Sequence, residues 1–141
     1  MTEPNALRGR VALVTGGSRG VGKGIAEELA ASGADVYVTG RTVDQTAFEA
    51  SCIALRCDHT DDLAVAEAFE RIRTEQGRLD LLVNNVWGGY EQMYEDGDFT
   101  WIQPFWRQPL ARWDSMFSAG VRAHYVASCL AAPTISNNGK A

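Results

Sequence analysis

Val11-Ala-Leu-Val-Thr-Gly-Gly-Ser-Arg-Gly-Val-Gly22 decides the fold of this 141-residue chain. An apolar, β-branched run breaks into glycines. A segment of helical periodicity follows at once, with Val21, Ile25 and Leu29 at its apolar positions. The pattern predicts a buried strand from Arg10 to Thr15, a tight turn, and a helix from Gly20 to Ser32 closed by Gly33. Such a helix start presents unpaired backbone N–H groups and the positive end of its dipole, which suits a phosphate. Thr15-Gly16-x-x-x-Gly20-x-Gly22 therefore reads as a nucleotide-binding turn, because it follows a strand and opens a helix within a βαβ unit. The plain alternative is a tight turn with no ligand.

The alternation continues along the chain. Ala34 to Thr39 predicts a second strand, Cys52 to Cys57 a third and Leu79 to Asn84 a fourth. Asp44 to Ser51 predicts a short helix. Thr60-Asp61-Asp62 starts a longer one, as a cap followed by two carboxylates. Val65, Phe69 and Ile72 mark its buried face, Glu67 and Arg71 its exposed ion pair, and Gly77 its end. The aromatic-rich stretch after Asn85 predicts irregular structure that either walls a substrate pocket or packs as an insertion. Pro109 suits a first helical position. Leu110, Trp113, Phe117, Val121 and Tyr125 then predict a long helix that Pro133 ends, with a turn from Ser136 to Lys140. Strands alternating with helices specify the α/β class. The expected architecture is a Rossmann-like doubly wound parallel sheet, truncated after strand four and the long helix that follows it. Residues 1–9 form an arm, and residues 10–141 form one dinucleotide-binding domain, incomplete at its C-terminus.

Composition removes several classes of function. A formal net charge of −5 argues against a nucleic-acid partner. No apolar run approaches the ~20 residues of a membrane helix, and Met1 to Ala6 has no signal-peptide pattern. Cys52, Cys57 and Cys129 show neither metal-ligand spacing nor a disulfide framework, so they read as core or strand-end thiols in a cytoplasmic protein. His59 and His124 lack companions at ligand spacing, so no metal is expected, and His124 reads as a packed or hydrogen-bonded residue.

The strand ends carry the remaining signals. The second strand ends in Thr39-Gly40-Arg41 with no acid, and Arg19 adds a second guanidinium from the glycine turn. An acid there would suit the ribose hydroxyls of NAD, whereas arginines grip the extra phosphate of NADP. NADP is the expected cofactor, against a reading of both arginines as solvated surface groups. Asp58 either accepts from an adenine amino group or caps a strand-end turn. Asn84 and Asn85 either orient a cofactor ribose or serve the turn alone.

On these residues the chain resembles the N-terminal half of a short-chain dehydrogenase/reductase. The matching pieces are Thr15 to Gly22, Gly40-Arg41, Cys57-Asp58 and Asn84-Asn85, and the runs Phe105 to Phe117 and Gly120 to Tyr125 resemble one subgroup of that family. The resemblance implies a cofactor set of Thr15, Gly16, Ser18, Arg19, Gly20, Val21, Gly22, Arg41, Asp58, Asn84 and Asn85. It also implies hydride transfer between NAD(P)H and a small carbonyl or alcohol substrate, and homo-oligomers in full-length form. In the family a tyrosine is the acid/base, a lysine lowers its pKa and a serine polarises the carbonyl. Two departures follow. Tyr37, Tyr90, Tyr94 and Tyr125 are followed four residues on by Arg41, Tyr94, Asp98 and Cys129, so no Tyr-x-x-x-Lys occurs. Ser118 stands where the family has a helix asparagine. The expectation is a cofactor-binding half without catalytic residues of its own, marginally stable and prone to associate through an uncovered fourth strand and long helix. The alternative is a non-catalytic dinucleotide-binding or subunit-pairing module.

Overall fold

The computed structural model describes residues 5–137. Four parallel strands form its sheet: β1 (Val11–Thr15), β2 (Asp35–Gly40), β3 (Cys52–Arg56) and β4 (Leu81–Val83), in the order β3-β2-β1-β4. β1 lies between two neighbours, with Val11 opposite Asp35 and Ala12 opposite Leu81. Its central place explains why it carries apolar residues on both faces. Val11 and Leu13 join Tyr37 and Leu55 on one face, under Ala68 and Ile72 of α2 (Asp62–Gln76) and Ala131 of α4 (Ala123–Asn137). Ala12 and Val14 join Val36 and Val38 on the other, under Ala26 of α1 (Gly20–Ala31). Each buried Val or Leu contributes about 1.5–3 kcal/mol. The chain runs from β1 out to β3 and returns across β1 to β4, so the direction of winding switches between β1 and β4. Crevices at such switch points, at the carboxyl ends of the strands, are where ligands sit in open α/β sheets.

Local chemistry places the helix ends. Gly33 adopts φ +95° after α1, and Gly77 adopts φ +67° after α2. The cap of α2 is Asp61, not Thr60: its carboxylate accepts from the N–H groups of Leu63 (3.0 Å) and Ala64 (3.4 Å). Arg71 pairs with Glu75 rather than Glu67. Tyr37 donates its hydroxyl to Glu75 Oε2 at 2.7 Å and so fixes that carboxylate, which leaves Oε1 for Arg71 Nε, also at 2.7 Å. The short helix expected over 44–51 shrinks to a 3-10 turn, Val43–Gln45. One turn does not nucleate further helix, and buried Val43 anchors the segment to the core instead.

The aromatic stretch is more ordered than its composition indicates. It holds 3-10 turns at Tyr90–Gln92 and Phe105–Arg107 and a small hairpin of β5 (Tyr94–Glu95) and β6 (Asp98–Phe99). The hairpin turns through Asp96 and Gly97, both with positive φ, as a tight two-residue turn requires. Buried Arg112 holds the stretch down. It donates to Gln92 O (2.6 Å) and Thr100 Oγ1 (2.8 Å) and lies 5.4 Å over the Trp101 ring.

The expected long helix is three pieces: α3 (Leu110–Met116), a π-helical turn (Phe117–Arg122) and α4. Pro109 is the cap, one place before the first helical position. Pro133 does not end the helix. It removes one N–H donor, while Ile135 beyond it packs on the core and keeps the backbone helical to Asn137. Thus the expected turn is helical at its start, and its residues from Asn138 onward lie outside those described. Leu110, Trp113, Phe117, Val121 and Tyr125 all face solvent, and the helix buries Ala123, Ala127 and Ala131 instead. Cys129 is exposed, unlike buried Cys57, because it sits on that outward side. Among the described residues no helix is long and apolar enough to cross a membrane.

At the opposite end from the glycine turn, Asp80 ties β1 to β4. Its carboxylate accepts from Val11 N–H (2.9 Å), Arg78 Nε (2.9 Å) and Arg10 Nη1 (3.1 Å). The Arg78 guanidinium, helped by the Val11 N–H and Arg10, holds its pKa down to about 2. A depressed carboxylate stabilises the fold above its unfolded pKa and loses that effect as pH falls through the folded value. Asp80→Asn is expected to cost about 2 kcal/mol at neutral pH. It should also flatten the loss of stability between about pH 4 and pH 2, read by urea denaturation across that range.

Candidate dinucleotide site

The carboxyl ends of β1 and β4 lock together first. Thr15, fully buried, donates its hydroxyl to Val83 O (3.2 Å) and accepts the Asn85 backbone N–H (3.1 Å). Asn85 Nδ2 donates to Gly16 O at 2.8 Å. The glycine turn is thereby held against β4 with no spare room. A Cβ on Gly16, which has φ +68°, would come within 2.9 Å of Val86 Cα. One on Gly22 would come within 2.3 Å of Asn85 Nδ2. Gly20 differs: its φ is +59° and nothing lies within 4 Å of a Cβ there, so the turn opens to solvent at that point. No side chain caps α1, and its first turn holds no acidic residue. The positive end of its dipole therefore faces the open turn uncompensated.

The β2 end forms the second side. Ser18 packs its hydroxyl over Gly40, where a Cβ would meet Oγ at 2.3 Å, and its carbonyl accepts from Thr46 Oγ1 at 3.0 Å. Beneath the tip, Thr39 Oγ1 and His59 Nε2 lie 2.8 Å apart in the core. Burial pushes the His59 pKa down to about 4, so the ring is neutral and joins the ends of β2 and β3 without a charge. Asp58 accepts from the Thr60 backbone N–H (2.9 Å) and hydroxyl (2.7 Å), which hold its pKa below the ordinary range. Its Oδ1 is thus engaged in turn chemistry.

Arg19 and Arg41 leave two separate turns and meet one segment. Arg41 Nη2 donates to Glu91 Oε1, and Arg19 lies 5.4 Å over the ring of Tyr90. Neither residue of this segment stands out by spacing or motif, since the contact spans 50 residues of chain. Asn84 donates to Ser128 Oγ on α4 at 3.0 Å, and His124 Nε2 lies 2.8 Å from Val86 O, the polar contact expected of that histidine. Val21 is exposed at the start of α1. Ser118 is exposed in the π-helical turn. The structure thus gathers Thr15, Gly16, Gly22 and Asn85 at one lock and Ser18, Arg19 and Arg41 at its rim.

A parallel sheet whose glycine turn opens to solvent at the switch point, with two guanidiniums at the rim, is the arrangement of the doubly wound α/β class, many of whose members bind dinucleotides. The short chain dehydrogenase family profile matches residues 10–141, and the chain belongs to that family. It is 39% identical over 143 residues to Dehydrogenase/reductase SDR family member 1 of Mus musculus, covering 95% of this chain and 44% of that protein. Its structure resembles a short chain dehydrogenase from Burkholderia cenocepacia J2315 in complex with NADP: TM-score 0.73, 36% identity, 93% of this chain and 53% of that one. It also resembles a 7α-hydroxysteroid dehydrogenase complexed with NADH and 7-oxo glycochenodeoxycholic acid: TM-score 0.74, 28% identity, 94% and 51%. The chain spans about half the length of these relatives.

The lock itself makes a prediction. Asn85→Ala removes the amide that holds Gly16 and should destabilise the ligand-free chain by about 1–2 kcal/mol. Urea denaturation without any nucleotide reads the loss, and an unchanged midpoint would show that the Asn85 side chain has no part in the lock.

Proposed function

We propose that the chain is the cofactor-binding half of an NADP-dependent oxidoreductase, which moves hydride between the nicotinamide and a small carbonyl or alcohol. The observation that carries this reading is the convergence of Arg19 and Arg41 on Tyr90 and Glu91, beside the open turn at Gly20. The residues fit the group: α1 offers uncapped N–H groups to a pyrophosphate, and Gly16 and Gly22 let the backbone approach without side chains. Ser18, Gly20 and Val21 complete that turn. Arg19 and Arg41 hold the 2′-phosphate by forked, charge-assisted hydrogen bonds. Asp58 would offer its second carboxylate oxygen to the adenine amino group, and Asn84 would serve the nicotinamide ribose. Thr15 and Asn85 act through the turn they fix. One related structure is in complex with NADP and another with NADH, and the arginines with no acid at the β2 tip favour NADP here. When bound, the cofactor supplies the hydride. By the family resemblance proton transfer would use a serine and a Tyr-x-x-x-Lys pair; no Tyr-x-x-x-Lys occurs in these 141 residues, and Ser118 stands where the family's helix asparagine would aid the relay. We place the protein in the cytoplasm and expect a homo-oligomer in full-length form.

A second reading, a subunit-pairing module that binds dinucleotide without turnover, is favoured by one feature. The apolar side of α3 and α4 faces solvent. It differs from the first in expecting tight association with a complete subunit.

Titration with NADP+ and NAD+, followed by tryptophan fluorescence, tests the cofactor assignment. Arg19→Gln and Arg41→Gln should each weaken NADP+ about tenfold or more and NAD+ by less than about threefold. If the unaltered protein ignores NADP+ at millimolar concentration, the assignment is wrong.

A further inference from the structure

The 3-10 turn Tyr90–Gln92 brings an anion to the rim that the cofactor reading assigns to a phosphate. Glu91 accepts from Arg41, and Tyr90 next to it lies under the Arg19 guanidinium. A carboxylate and a phosphate are both anionic acceptors for guanidinium N–H groups, and their like charges repel, so the two compete for Arg41. Burial alone would raise the Glu91 pKa. Its own backbone N–H, Arg41 and Arg19 outweigh burial and hold the carboxyl below the ordinary glutamate range, so it is charged at neutral pH. We propose that Glu91 is a specificity-determining residue that competes with the 2′-phosphate for Arg41 and thereby sets the balance between NADP(H) and NAD(H). This rests on the dinucleotide reading given above.

The geometry makes Glu91 a tuner rather than a block. The Arg41 and Glu91 side chains are 62% and 45% exposed, so a phosphate reaches the guanidinium from water. Exposed ion pairs hold weakly, so displacement is cheap. NAD(H) has no group to displace the carboxylate and leaves the pair intact. Displacement also has a built-in reporter, because the Tyr90 ring meets Trp87 edge-on at 4.4 Å.

Glu91→Gln keeps the shape of the turn and removes the competing charge. It should tighten NADP+ about three- to tenfold and change NAD+ by less than about twofold, both measured as dissociation constants on the full chain. In the unaltered protein, adenosine 2′,5′-bisphosphate should shift tryptophan emission while 5′-AMP does not, and Trp87→Phe should abolish the shift. Equal changes for both dinucleotides in the variant, or none, would overturn the role of Glu91 and leave the cofactor assignment standing. So would a 2′,5′-bisphosphate that binds without moving the emission. Failure of the unaltered protein to bind either dinucleotide would overturn both.

Discussion

The contact on which the molecule depends is the one between the end of β1 and the end of β4. Three hydrogen bonds cross it between residues about 70 apart in sequence, from Thr15 to Val83 O, from the Asn85 N–H to Thr15 and from the Asn85 amide to Gly16 O, and the glycine turn is pressed into the space between. Each bond is worth about 1 kcal/mol net, but leaving any of those buried groups unpaired costs more. The close approach explains two of the glycines without any ligand, since Gly16 and Gly22 have no room for a Cβ. Gly20, the third glycine of the motif, is turned to solvent and free of that packing demand. One lock therefore joins both winding directions of the sheet and aims the start of α1.

Charge at the mouth follows placement, not composition. The chain is acidic as a whole, yet two arginines converge at the rim of the turn and α1 lacks any acid in its first turn. Thr60 holds the Asp58 carboxyl below its ordinary range with a smaller contribution from Arg41, while burial opposes and its own backbone N–H and Arg41 together hold the Glu91 carboxyl down. The neutral Thr39–His59 pair beneath them supports this charged layer without adding to it.

Most of the sheet is legible in the sequence because its signals are local. β1, the glycine turn, α1 and the stop at Gly77 each rest on patterns within a few residues, and each lies where those patterns put it. Contacts across long stretches are not legible in that way. Nothing around Glu91 announces Arg41, and nothing around Arg112 announces a guanidinium buried against Trp101. The hairpin at Asp96-Gly97 has its turn signal, but strands of two residues are too short for alternation to show. The apolar spacing from Leu110 to Tyr125 correctly marks a helix, yet periodicity reports that a face is apolar and not whether anything covers it.

The alanines of α4 have a further consequence. Ala123, Ala127 and Ala131 recur every fourth residue on the side that meets the rest of the molecule, so a slide of about 6 Å along the helix axis would replace alanine with alanine. Smooth, repeating contacts of that kind specify closeness without specifying position. The polar pins near the carboxyl end of β4, Asn84 to Ser128 and His124 to Val86, break the degeneracy and select one register of helix against strand.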